Sequence, residues 1–183
     1  SGKGGYLAFL GRICADKGIL PAIEIARLAG MELKVAAKVD PADRNYFEQQ
    51  VKPVLANSPH VDFIGEIDDS RKQQFLGEAK ALLFPISWPE PFGLVMIESM
   101  ACGTPVIAFR YGSVPEVTED GVTGFVVDTV QEGAAAVSRL DRLSRPQIRA
   151  RFEKRFSVEA MARGYVKIYE QLADMETVTL AAQ

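Results

Sequence analysis

Trp88-Pro89-Glu90-Pro91-Phe92-Gly93-Leu94-Val95-Met96-Ile97-Glu98-Ser99-Met100-Ala101-Cys102-Gly103 decides how the chain is read. Prolines at 85, 89 and 91 exclude a helix before Gly93, because proline lacks an amide donor and restricts the residue ahead of it. Gly93 releases the chain into Leu94–Cys102, a run without glycine or proline that ends at Gly103 and reads as a helix. An ordered loop therefore feeds a helix N-terminus, where free N–H groups and the positive dipole end attract anions. Glu90 in the loop and Glu98 about one turn into the helix bracket the junction. A carboxylate repels phosphate but accepts well from sugar hydroxyls, so the junction describes a pocket for a molecule carrying both.

Outward from this stretch, short apolar runs alternate with helical periodicity. Strands are expected at Tyr6–Leu10, Leu33–Val39, Val61–Gly65, Ala81–Phe84, Val106–Phe109 and Phe125–Val127. Helices are expected at Ile19–Ala29, Ala42–Val51 (ending before Pro53), Ser70–Ala79, Leu94–Cys102, Gln131–Leu140, Arg145–Arg155 and Ser157–Ala173, with Ser157 as an N-cap. This alternation predicts an α/β fold: a Rossmann-like three-layer α/β/α domain around a six-stranded parallel sheet. Residues 1–5 read as a linker edge, 6–173 as the domain, and 174–183 as a tail without periodicity, open to disorder. In such sheets ligands sit at the carboxyl ends of the strands. Four loops fall there: Gly11–Lys17, Gly65–Asp69, Pro85–Gly93 and Arg110–Glu116.

Bulk composition narrows the function. The 183 residues are 48% hydrophobic and 25% charged, ordinary for one globular domain with a substantial core. A net charge of −3 argues against nucleic acid as the main partner, and no apolar run reaches bilayer-spanning length. Cys14 and Cys102 lack metal spacing and read as reduced cytoplasmic thiols, and the single His60 rules out a multi-histidine zinc site. No G-x-G-x-x-G follows the first strand, and Gly2-Lys3 is no phosphate-binding P-loop, which weakens nicotinamide and ATP-hydrolysis readings.

Glu90 and Glu98, separated by seven residues that include Phe92-Gly93, resemble the E-x7-E motif of family 4 retaining glycosyltransferases. The resemblance runs from Tyr6 to about Leu172 and matches the C-terminal, nucleotide-sugar-binding half of a GT-B fold. It implies transfer of a sugar from a nucleotide diphosphate sugar, with no cofactor and no metal. Arg12 and Lys17, in a turn similar to the family's G-R…K-G, would grip the donor diphosphate and stabilise the leaving group. Glu90 would accept from the transferred sugar and oppose positive charge at the anomeric carbon, and Glu98 would hold the ribose. The N–H groups of Phe92, Gly93 and Leu94 would meet sugar or phosphate oxygens. Ile67 would face the base, with Asp69 and Lys72 near it.

Gly112-Ser113-Val114-Pro115-Glu116 resembles the family's G-G-x-P-E turn, with Ser113 replacing the second glycine, and reads as architectural. Ala36-Ala37-Lys38 departs from the glycine-rich strand end of many relatives. The resemblance further implies an N-terminal acceptor-binding domain as partner, leaves peripheral membrane association of the full-length enzyme open, and makes this chain alone a donor binder with almost no activity. A non-catalytic nucleotide-binding module and a sugar-nucleotide epimerase of GT-B architecture are the competing readings. The apolar residues of Ser157–Ala173 cover more of that helix than one stripe requires; the resemblance implies that this last helix packs on the N-terminal domain, so its Tyr165/Tyr169 side is expected to stand exposed here.

Overall fold

The computed structural model describes residues 4–181, with side chains from 4 through 173. Among the described residues there are six strands: β1 (Leu7–Arg12), β2 (Leu33–Lys38), β3 (Val61–Gly65), β4 (Ala81–Phe84), β5 (Val106–Phe109) and β6 (Gly124–Val127). Helices α1 (Ile19–Ala29), α2 (Arg44–Tyr46), α3 (Lys52–Ala56), α4 (Asp69–Glu78), α5 (Leu94–Ala101), α6 (Val114–Val117), α7 (Val130–Val137), α8 (Arg145–Phe156) and α9 (Val158–Ala181) connect and follow them. Every strand pair is parallel and the order is β3-β2-β1-β4-β5-β6, so the expected Rossmann-like α/β sheet is what forms.

The apolar runs are continuous because both faces of the sheet are covered. Leu7, Phe9, Ala81, Leu83 and Ile107 point into one core with α1 and α7. Ala8, Leu82, Phe84, Val106 and Ala108 point into the other, with α4, α5 and α8. Successive residues alternate between the cores, as the two-residue strand period demands.

Four elements end two or more residues away from the sequence expectation, each for a local reason. β1 continues two residues past Leu10, because Gly11 and Arg12 pair with Ala37 and Lys38 of β2. The helix expected to stop before Pro53 passes through it, and a π-helical stretch, Phe47–Val51, makes this feasible. There Lys52 N–H reaches back five residues to Phe47 O, a wide turn that accommodates a proline lacking its own donor. The segment Gln131–Leu140 ends as helix at Val137, with a separate 3-10 turn at Leu140–Arg142. Helix α9, expected to end at Ala173, runs on to Ala181; Ser157 caps its start, accepting from Ala160 N–H at 3.1 Å.

The strand order reverses between β1 and β4, and the loops leaving these two strands are stitched together. Ser87 N–H donates to Asp16 O at 3.0 Å. Gly18 has φ +74°, and a Cβ there would lie 1.9 Å from Pro85 O. Only glycine fits both the left-handed backbone and this approach. Gly30, with φ +64° and no atom within 4 Å of a built Cβ, separates the two effects. We predict that Gly30→Ala costs about 1 kcal/mol from backbone strain alone, whereas Gly18→Ala costs more than about 2 kcal/mol. Urea denaturation of both variants measures this, and equal losses would contradict the close-approach argument.

Candidate functional site

The crevice between the carboxyl ends of β1 and β4 gathers charge from separate stretches of sequence. Lys17 ends the 3-10 turn Ala15–Lys17 that follows β1, and Gly18 then turns the chain into α1. Its ammonium forms an ion pair with Glu90 Oε2 from the loop after β4. Both side chains are largely shielded, at 26% and 12% exposure, so water screens the pair less than a surface pair. The Trp88 indole Nε1–H donates to the same Glu90 oxygen at 3.1 Å, and Lys17 Nζ lies 5.0 Å from the centre of the Trp88 ring. Trp88 was not among the residues singled out in the sequence. The only available signal was an aromatic N–H donor two positions before a key carboxylate.

The backbone of Glu90 is clamped on both sides. Its N–H donates to Trp88 O at 2.8 Å, and its carbonyl accepts from Ser113 N–H at 2.9 Å. Gly112, at φ +53°, lies so close that a Cβ there would sit 2.3 Å from Glu90 O. The Gly112-Ser113-Val114-Pro115-Glu116 turn thus acts as a backstop for the Glu90 loop. Gly93, also left-handed at φ +73°, packs on Met96 and Phe84 and starts α5; its neighbours Phe92 and Leu94 are exposed. No acidic residue lies in the first turn of α5, leaving the positive end of its dipole unopposed locally.

A second cluster forms one helical turn further on. Lys72 of α4 sits 2.9 Å from Asp69 Oδ1 and 3.6 Å from Glu98 Oε1 of α5. The hydrogen bond to Asp69 raises the Lys72 pKa, with partial burial opposing it and Glu98 adding to the rise. The start of α4 is capped by Asp68, which accepts from Arg71 N–H at 3.1 Å; Ser70 and that N–H together hold the carboxyl below its usual range. Ile67, at the entrance to this helix, has its side chain buried in the α4–α5 core.

Arg12 lies in a third cluster. Its guanidinium is 3.4 Å from Asp43 and 3.9 Å from Asp40, in the segment leaving β2. Arg12 stands opposite Lys38 in the β1–β2 register, so the two acids neutralise adjacent cations, with Lys38 3.7 Å from Asp40. Lys17 and Glu90 are therefore in direct contact, Glu98, Lys72 and Asp69 form a neighbouring group, and Arg12 is engaged elsewhere.

A groove of about 1390 Å³ runs between α4, α5 and α8, walled by Asp69, Lys72, Glu98, Cys102, Arg145 and Arg149. Lys17 and Glu90 do not line it. Its arginines serve the scaffold: Arg145 donates to Ala79 O, Gly77 O and Thr104 Oγ1, and Arg149 to Ala101 O. The β1–β4 crevice, where opposite charges converge at strand carboxyl ends, is therefore the candidate site.

Residues 1–162 match the family described as Glycosyl transferases group 1. A glycogen synthase from Thermus thermophilus is 31% identical over 169 residues, covering 90% of this chain and 38% of that protein. The structure of a sucrose-phosphate synthase from Thermosynechococcus elongatus is similar with a TM-score of 0.77 at 29% identity, over 94% of this chain and 46% of the other. Anabaena Alr3699/HepE, solved in complex with UDP-glucose, is similar with a TM-score of 0.66 at 25% identity, over 96% and 49%. The chain spans about a third to a half of the length of the curated relatives it matches. With all six strands inside the match and the sheet of GT-B glycosyltransferases, this chain belongs to the glycosyl transferases group 1 family.

Proposed function

We propose that this chain is the donor-binding half of a retaining, metal-independent glycosyltransferase, acting in the cytoplasm, that moves a sugar from a nucleotide diphosphate sugar to an acceptor held by an N-terminal domain. The Lys17–Glu90 ion pair at the strand-order reversal carries this reading. It sets a cation for the diphosphate beside a carboxylate for the sugar, next to the N-terminus of α5.

The difficult feature of the reaction is negative charge building on the departing diphosphate. Lys17 meets it as a fixed ammonium, and the N–H groups of Phe92, Gly93 and Leu94 add dipoles at the helix start; each preorganised donor of this kind contributes roughly 3–4 kcal/mol to a transition state. Arg12 adds a second cation once it leaves Asp40 and Asp43. Glu90 accepts from sugar hydroxyls and opposes the positive charge developing at the anomeric carbon. Glu98 accepts from the ribose hydroxyls while Lys72 holds it, and the backbone of Ile67, with Asp69 nearby, meets the base.

The partner domain is supported by α9. Val158, Met161, Tyr165, Ile168, Tyr169 and Leu172 are all exposed, with the two tyrosines at 55% and 64%. Their rings lie 6.3 Å apart. An apolar stripe of this length is what an interdomain contact covers. Among the described residues no helix is long and apolar enough to cross a membrane.

Three outcomes check this function. Nucleoside diphosphates should stabilise the chain without added divalent metal, by about 2.7 kcal/mol at 100 times Kd. A thermal shift seen only with magnesium or manganese would sink the metal-independent reading. In calorimetric titrations, Glu98→Ala should weaken the diphosphate about tenfold, as charge-assisted hydrogen bonds to the ribose are lost. Glu90→Ala should spare the diphosphate and weaken only the sugar nucleotide; parallel losses in both variants would show that the division of labour is wrong. Finally, the isolated chain should self-associate through α9 in sedimentation runs, and Tyr165→Gln with Tyr169→Gln should make it monomeric. A wild-type chain that stays monomeric at high concentration would count against an uncovered interface.

A further inference from the structure

Trp88 touches both charged members of the centre, each through a different part of the indole. Its N–H, which can only donate, points to Glu90 Oε2 at 3.1 Å. Its π-face lies 5.0 Å from the Lys17 ammonium, within cation–π range. The indole is held in this pose. Pro89 confines Trp88 to extended backbone, the Glu90 N–H closes a three-residue turn on Trp88 O, and the ring packs partly on the α4–α5 core.

The arrangement bears on what happens when a diphosphate arrives, and so rests on the donor-binding reading above. Lys17 carries one charge, and a diphosphate offers more than one negative charge to it. As Lys17 turns to the ligand, Glu90 is left as a shielded carboxylate beside an anion, a position that repels it and leaves it poorly solvated. Among the described residues, hydrogen bonds to the Glu90 carboxylate come from Lys17 and Trp88. We propose that Trp88 is a positioning residue: its indole N–H keeps the Glu90 carboxylate aimed at the sugar once Lys17 has been drawn to the diphosphate. The ring face supplies the Lys17 side chain with a resting place between ligands.

The test uses Trp88→Phe, which keeps an aromatic face for Lys17 but removes the N–H. UDP and UDP-glucose are titrated against wild type and variant by calorimetry, followed by the GDP and ADP pairs, with folding verified by an unchanged Tm. The variant should bind the diphosphate within about twofold of wild type and the sugar nucleotide more weakly by roughly tenfold or more, as expected when one hydrogen bond to a charged group is lost. Equal weakening of both ligands, or no change in either, overturns the inference. Because Trp88 is the one tryptophan in the chain, its fluorescence reports this contact directly. In the ligand-free chain, Glu90→Gln should shift its emission and alter quenching by acrylamide; an unchanged spectrum overturns the inference whatever nucleotides do. A wild-type chain that binds no member of the three pairs defeats the donor reading and this inference with it. A spectrum still sensitive to Glu90→Gln would show that the failure lay in the donor reading and not in the Trp88 contact.

Discussion

A shielded ion pair between a lysine and a glutamate sets the character of this domain. Lys17 and Glu90 belong to loops 73 positions apart, and they meet because the sheet reverses its winding direction between the strands those loops follow. A parallel sheet in this order opens a crevice at one place, and polar groups at its mouth are carried by strand ends rather than by free loops. The pair neutralises two charges that would otherwise be costly to shield together in the absence of a ligand. On the proposed function, it also leaves them ready to separate toward a molecule that is anionic at one end and rich in hydroxyls at the other.

Much of the surrounding structure reads as support for that crevice. Gly18 lets the first loop press against Pro85, and Gly112 lets a third loop press against Glu90; at both sites a Cβ would collide with backbone oxygen. On the α4–α5 face of the sheet, arginines of α8 tie down carbonyl groups at chain turns. Arg145 and Arg149 reach the ends of α4 and α5, and Arg155 reaches Glu116 O, Val117 O and Glu119 beside the Gly112 turn. Cations at helix C-termini oppose the negative dipole ends and satisfy exposed carbonyls. The α5 N-terminus is thereby held from behind while its front faces the crevice.

The fold was legible because buried parallel strands must be apolar on both faces, which leaves unmistakable runs such as Ala81–Phe84 and Val106–Phe109. Legibility failed where long-range pairing overrode local pattern. Gly11 and Arg12 look like loop and extend a strand because β2 lies beside them. Pro53 looks like a stop and sits inside a helical segment because the preceding turn widens. At the site, Glu90 and Glu98 were visible from spacing and charge, and Lys17 from the resemblance of its turn to the family's G-R…K-G. The engagement of Arg12 with Asp40 and Asp43 was not, since it depends on the β1–β2 register. Trp88 carries little signal of its own in a stretch dominated by prolines, and an indole's partner becomes apparent only when the side chains are in place.

The central claim is that the β1–β4 crevice, and not the Arg145/Arg149 side of the groove between α4 and α8, receives the diphosphate. A crystal structure of this chain soaked with a nucleoside diphosphate tests it most directly. The account predicts phosphate oxygens within hydrogen-bonding distance of Lys17 Nζ and the Leu94 N–H, with the Lys17–Glu90 contact opened. Phosphate density beside Arg145 and Arg149 with the Lys17–Glu90 pair still closed would contradict it.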